Sequence, residues 1–175
     1  MTQTSNGYSS LSVALHWIAG VAIIALFFTH EGDQGLASMT FHVSGGAILG
    51  VLLLWRIVRR MSRGFAEKPA QHEVLNLASG FVMWGLMITT LVVVITGYLL
   101  PSTLGNPLDI YGIITIPSFT GRLADLHVRL EWLHNLAGHA IVPLFLIHII
   151  GSLKHLLIDR DNVMQRIFRP LKDGK

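Results

Sequence analysis

Residues 133–157 read LHNLAGHAIVPLFLIHIIGSLKHLL, and this stretch decides the fold. It carries a single fixed charge, Lys154, in 25 residues. A helix of this length, at about 1.5 Å per residue, crosses the hydrocarbon core of a bilayer, which is about 30 Å thick. The same stretch contains His134 and His148. Ionisable side chains are costly inside a membrane and are functional by default.

Three further apolar segments predict helices over residues 13–30, 41–58 and 77–100. The chain is 51% hydrophobic and 13% charged, with a mean hydropathy of +0.56, whereas soluble domains are about a quarter charged. We therefore expect an all-α integral membrane protein, a four-helix bundle, with residues 1–175 forming a single domain. The polar, uncharged residues 1–12 do not suggest a cleaved signal peptide.

The positive charges predict the topology. Lys and Arg cluster in the connection between the second and third segments and after the fourth, whereas the long third connection holds only Arg122 and Arg129. The first connection is the acidic turn of residues 31–35. The positive-inside rule then places both termini in the cytoplasm. Basic stretches of this kind describe topology, so no nucleic-acid partner is expected.

The absence of cysteine limits the redox chemistry. It excludes disulfides, iron–sulfur clusters, thioether-attached haem and thiolate zinc sites. Any redox centre must use other ligands, and the nine histidines supply them. In the third connection, residues 108–117 are too short to span and are expected to lie in the interface as a lid, an unstructured loop being the alternative.

Four histidines are predicted at two matched depths. His16 and His148 fall near the inner surface, and His42 and His134 near the outer one. His134 and His148 are fourteen residues apart, nearly four helical turns, so both rings project from almost one face, roughly 21 Å apart along the axis. One metal ion does not use ligands so widely separated. Two stacked haems do, held by the pairs His16–His148 and His42–His134, with the third segment serving as packing.

Each of these histidines has a small residue four positions later, on the same helical face. These residues are Gly20, Gly46, Gly138 and Ser152. They leave room for a porphyrin, and close packing of membrane helices is the ordinary alternative. His155 lies one heptad beyond His148 and is interpreted as a contact to a haem propionate or to the substrate.

The chain resembles the bacterial cytochrome b561 family over nearly its whole length. The resemblance rests on the following motifs: Tyr8-Ser9, Leu15-His16-Trp17, His42-Val43-Ser44-Gly45, Arg56, Gly105-Asn106-Pro107, Trp132-Leu133-His134, Ile147-His148, His155 and Asp161-Asn162. It implies a four-helix bundle with two non-covalent b haems, ligated at His16, His42, His134 and His148, and electron exchange with ubiquinone. Some members oxidise superoxide at the outer face, so the resemblance implies an oxidoreductase of the respiratory chain.

Several functional alternatives stay open. A haem-bearing anchor subunit of a hydrogenase or formate dehydrogenase would share every histidine and need a protein redox partner. A divalent-metal transporter is disfavoured because the acidic residues are confined to the connections. At the outer end, Arg122, His127 and Arg129 attract an anionic donor, or they are ordinary solvated loop residues or pair with haem propionates. At the inner end, Arg56, Arg59 and Lys154 bind propionates or lipid phosphates.

Overall fold

The protein is a bundle of four long apolar helices. The computed structural model describes residues 9–30, 35–63, 72–161, 164 and 168. Within them, four helical segments are long and apolar enough to cross a membrane, namely Ser10–His30, Gly35–Ser62, Glu73–Thr103 and Ala124–Asp159. The all-α prediction is confirmed, and the chain is a multi-pass membrane protein. The acidic turn before Gly35, the connector of residues 64–71 and most of the C-terminal tail lie outside the described residues.

The helices are longer than the apolar segments that predict them. They are α1 (Ser10–His30), α2 (Gly35–Thr40), α3 (Gly46–Arg63), α4 (Glu73–Thr103) and α5 (Ala124–Lys154), with π-helical turns at Phe41–Gly45 and His155–Asp159. The α5 helix begins at Ala124 because polar turns continue a helix without an apolar signal, and Asp125 in its first turn favours that end. His134 therefore lies well inside α5, not at its start.

The second span is interrupted where it carries a ligand candidate. The π-helical turn Phe41–Gly45 joins α2 to α3 and contains His42. Such single turns widen a helix locally and occur often at functional sites. Hydropathy cannot reveal this change, because it leaves the apolar character of the segment intact.

The closely packed helix pairs of the described chain are α4 with α5, α3 with α4, and α1 with α3. Ala19, Leu49, Leu53 and Val94 form the buried core between α1, α3 and α4. The Tyr98 hydroxyl donates a hydrogen bond to the Ala47 carbonyl and so ties α4 to α3. The Tyr98 ring lies so close to Gly50 that a Cβ there would be 3.0 Å from Tyr98 Cε2.

Helices α1 and α5 face each other through rings instead. His16 contacts His148, and Phe27 contacts His139. Only 6% of the apolar window of each of these two spans is buried in protein, against 28% in the second span. The first and fourth spans are thus the two that protein packing covers least.

A short hairpin closes one end of the bundle. Strands β1 (Leu108–Ile110) and β2 (Ile114–Ile116) pair antiparallel, and the turn between them uses positive φ at Tyr111 and Gly112. The buried Ser44 hydroxyl donates to the Asp109 carbonyl and accepts from the Tyr111 amide, which fixes the hairpin against the π-helical turn. The unstructured alternative is therefore wrong. The lid position in the membrane interface stays a prediction.

Candidate haem sites

Three histidine rings lie together at the end of the bundle that the charge pattern predicts to face outward, called here the outer end, the opposite end being the inner end. The His42 and His134 centroids are 6.1 Å apart with an interplanar angle of 76°. His30, at the end of α1, lies 5.3 Å from His42 and 6.5 Å from His134. The predicted pair His42–His134 is thus adjacent in space, and His30 joins it, although the sequence analysis assigned it no role.

The hydrogen bonds of the outer pair define which ring nitrogens carry protons. His42 Nδ1 lies 2.8 Å from the Leu26 carbonyl, which can only accept, so Nδ1 carries the proton. His134 Nδ1 lies 2.9 Å from Thr96 Oγ1. The Thr96 hydroxyl has one proton, which its 2.7 Å contact with the Val92 carbonyl uses, so Oγ1 accepts from His134 Nδ1. Both Nε2 atoms therefore keep a lone pair for a metal.

Helix α4 positions His134 and is not mere packing, which corrects the role given to the third segment. Thr96 supplies the hydrogen bond, and the neighbouring Gly97 supplies the space. A Cβ at Gly97 would be 3.3 Å from His134 Cε1. No feature of the sequence identified Thr96 and Gly97, because a Thr-Gly pair in an apolar helix is ordinary until its neighbour is known.

The inner pair has the same ring separation but a different hydrogen bond. The His16 and His148 centroids are 6.1 Å apart at 75°. Arg56 Nη2 lies 2.7 Å from His16 Nδ1, and Arg56 Nη1 lies 3.4 Å from the Leu15 carbonyl. A guanidinium can only donate, so His16 Nδ1 accepts, and neutral His16 carries its proton on Nε2.

Both pairs have the separation that an iron between two imidazoles requires. Metal–imidazole bonds are about 2 Å long and each ring centre lies about 1 Å behind its nitrogen, so rings on opposite sides of one metal have centroids about 6 Å apart. The outer pair also has both Nε2 atoms free. The residues thus fit a haem at the outer end directly. At the inner end they fit once His16 transfers its proton to Nδ1, which requires Arg56 to move away.

That the small residues beside the ligands leave room for a porphyrin stays a prediction, and the surroundings of the glycines are consistent with it. A Cβ at Gly20 or Gly138 would meet nothing within 4 Å, and one at Gly46 would meet only Leu26 Cδ1 at 3.9 Å. These glycines do not mediate close helix contacts in the described chain, which disfavours the packing alternative for them. The Ser152 hydroxyl instead donates to the His148 carbonyl within its own helix.

His155 lies at the inner end in a cluster with two carboxylates. Its Nδ1 is 2.7 Å from Asp161 Oδ2 and 3.2 Å from Asp159 Oδ2, so this nitrogen donates to the carboxylates. Lys154 Nζ lies 2.5 Å from the same Asp159 oxygen. The Lys154 ammonium already pairs with the carboxylate charge that a divalent cation would need, which disfavours a metal ion here. A carboxylate-oriented imidazole is well suited to exchange a proton.

The remaining charged candidates lie at the two ends. Arg122 and Arg129 are exposed at the outer end, while His127 Nδ1 is 2.9 Å from Thr103 Oγ1 and links α5 to α4. At the inner end, the Arg59 guanidinium lies 5.2 Å from the Trp55 ring centre, and its Nε is buried without a hydrogen-bond partner among the described residues. An anionic group from a propionate or a lipid would satisfy that nitrogen.

Comparison with known proteins identifies the family of this chain. The sequence profile of the prokaryotic cytochrome b561 family matches residues 7–170. Cytochrome b561 homolog 2 of Escherichia coli (strain K12) is 24% identical over 183 aligned positions, covering 95% of this chain and 93% of that protein. The chain therefore belongs to the prokaryotic cytochrome b561 family and is a membrane-embedded b-type cytochrome of electron transfer.

Proposed function

We propose that the protein is a dihaem oxidoreductase that carries electrons between a one-electron donor at the outer face and ubiquinone. In this proposal one haem b is held by His42 and His134 and a second by His16 and His148. Each haem supplies reversible one-electron storage, so two of them together match the two electrons that a quinone takes up. Both termini lie on the cytoplasmic side of a bacterial inner membrane.

The observation that carries the proposal is the pair of matched ring separations. Two histidine pairs, each with centroids 6.1 Å apart, lie near opposite ends of the same bundle. The histidines that α5 contributes, His134 and His148, are separated by roughly 21 Å of helix rise. A single metal centre would not explain two such pairs at two depths.

At the outer face we propose a small anionic donor such as superoxide. A haem held by two histidines would be open to a donor only at its edge, so the protein would contribute attraction and access. Arg122 and Arg129 are exposed there, and cationic side chains raise the local concentration of an anion. The hairpin Leu108–Ile116 lies on the turn that carries His42 and limits access from that side.

At the inner face we propose that His155 serves the quinone. Quinone reduction consumes protons, and the Asp161 carboxylate orients the His155 ring by accepting from Nδ1. The ring can therefore pass a proton between water and a quinone oxygen. Arg56, Arg59 and Lys154 supply the positive charge that haem propionates at this end would pair with.

The first experiment counts haems and follows electrons. The purified protein should contain two haem b per chain by the pyridine haemochrome assay. In vesicles loaded with ubiquinone, a superoxide-generating system should reduce the haems and then the quinone. One haem or none per chain in a folded preparation would end the proposal.

The same preparation separates this function from that of an anchor subunit. An anchor of a hydrogenase or formate dehydrogenase would hold both haems but accept electrons only from its protein partner. Two haems that superoxide fails to reduce, while an added quinol reduces them, would leave the haem sites standing and reject the outer donor.

A further inference from the structure

His30 lies at the outer site, although neither the resemblance nor the comparisons give it a role. It is half-buried at the last residue of α1, and its ring contacts both His42 and His134. An ordinary surface histidine does not pack against two prospective metal ligands. Its position therefore needs a separate explanation.

Helix geometry brings His30 to this depth. His16 and His30 are fourteen residues apart on α1, the same interval that separates His134 and His148 on α5. The two helices run antiparallel, and His16 meets His148 at the inner end. An equal rise along each helix, roughly 21 Å, then brings His30 level with His134, and fourteen residues return each ring to nearly the same helical face.

The three outer rings form a nearly equilateral triangle, with centroid separations of 5.3, 6.1 and 6.5 Å. A haem iron takes two axial ligands in line, so it can lie between His134 and only one of the other two rings. Both separations from His134 are close to the value of about 6 Å that bis-imidazole ligation needs. The separation of 5.3 Å between His30 and His42 is too short for these two to face each other across the iron.

We propose that His30 is an alternative axial ligand of the outer haem, able to replace His42 opposite His134. His42 is the resting ligand, because the Leu26 carbonyl holds its Nδ1 proton and presents Nε2. Leu26 and His30 are one turn apart on α1, so His42, which the π-helical turn of the second span carries, lies beside His30. The exchange breaks one iron–nitrogen bond and forms another, with no net transfer of electrons or protons.

The inner site supplies a matched contrast. Within the described residues, the His16 ring contacts the rings of Trp17 and His148. No third imidazole is in contact with that pair in the part of the chain the structure describes. Loss of His16 should therefore have no substitute, whereas loss of His42 should.

The test compares haem content and spin state in four variants: His42→Ala, His30→Ala, the double variant and His16→Ala. The inference rests on the proposed pair of haems, so wild type must first show two per chain. We expect His42→Ala to keep close to two haems, with the outer iron still low-spin and its electron paramagnetic resonance signal shifted. The double variant should fall to about one haem or show a high-spin outer iron, which added imidazole returns to low spin. His16→Ala should lose a haem by itself.

Several controls keep the outcomes distinct. His139→Ala removes a histidine of α5 whose ring contacts Phe27 and which has no part in the proposed ligation, so it should retain wild-type spectra. In the outer-site variants the inner haem reports whether the bundle is folded, and in His16→Ala the outer haem does. If His42→Ala resembles the double variant, or fails to accumulate while His30→Ala does, the inference is wrong. A wild-type protein with fewer than two haems would instead refute the proposed function.

Discussion

The outer and inner histidine pairs share a ring separation of 6.1 Å and differ in what holds the rings. At the outer end, His42 Nδ1 donates a hydrogen bond to α1 and His134 Nδ1 donates one to α4. The Nε2 atom of each ring therefore keeps its lone pair. At the inner end, a donor, Arg56, occupies His16 Nδ1. The outer pair is preorganised for a metal, and the inner pair must first exchange a hydrogen bond.

This comparison shows that two sites with the same ring separation can differ in how ready they are to bind a metal. Ligation needs a free lone pair, and the partner of the other ring nitrogen decides where that lone pair is. We expect the outer site to fill first when haem is limiting. At the inner site, the Arg56 guanidinium is a cation at the edge of the site. Once it has moved away from His16, it is available to pair with a propionate oxygen.

The largest expected effect comes from removing the histidines of α5. His148→Ala should lose the inner haem and spare most of the outer one, whereas His134→Ala should do the reverse. His134 is a ligand in both proposed pairs at the outer site, with His42 or with His30, so His30 cannot compensate for its loss. The pyridine haemochrome assay should give about one haem per chain for each variant. Two haems in either would show that the ligands are assigned wrongly.

A smaller effect is expected from the hydrogen bond that orients His134. Thr96→Val keeps the shape and removes the acceptor, leaving the Nδ1 proton unpaired. Loss of such a partner costs about 10–100-fold in metal affinity, so outer haem retention during dilution or competition with apomyoglobin should fall by about that factor. Thr96→Ser should restore it. Equal retention of the outer haem in the Val and Ser variants would show that the Thr96 hydroxyl does not support ligation by His134.

Arg56→Met tests the inner half of the comparison. Removing a positive charge near an iron disfavours its reduction, so the inner midpoint potential should fall by tens of millivolts, about the size expected at an effective dielectric of about 20. The outer potential should hardly change. Arg129→Met, which removes an exposed charge, is the matched control, since solvent and salt screen it. Redox titration by absorbance measures both, and an equal shift of both haems would contradict a local action of Arg56.

The smallest effect is steric. Gly97→Ala places a methyl group 3.3 Å from His134 Cε1, so the ring has to yield by a few tenths of an ångström. We expect a shifted outer low-spin signal with nearly full haem content. Gly80→Ala on the same helix has nothing within 4 Å and should leave the spectrum unchanged. Identical spectra for the two variants would mean that His134 is not held against α4.

Much of the fold can be predicted from the amino-acid sequence. Hydropathy alone places four spans, although it starts the fourth too late because Ala124 to Glu131 is polar helix. The depth pairing of His16 with His148 and of His42 with His134 also follows, since helical rise and period are local properties. The same arithmetic applies to His16 and His30, whose fourteen-residue interval is the signal that could have placed His30 at the outer site.

The tertiary structure alone decided how the imidazoles are held. Leu26 and His42 are 16 residues apart, Thr96 and His134 are 38 apart, and Arg56 and His16 are 40 apart. No local propensity brings such partners together. They meet because the helices pack in one arrangement, and that packing determines which nitrogen of each ring is free. The sequence by itself determined the spans and the depth of each histidine, because these depend only on neighbouring residues.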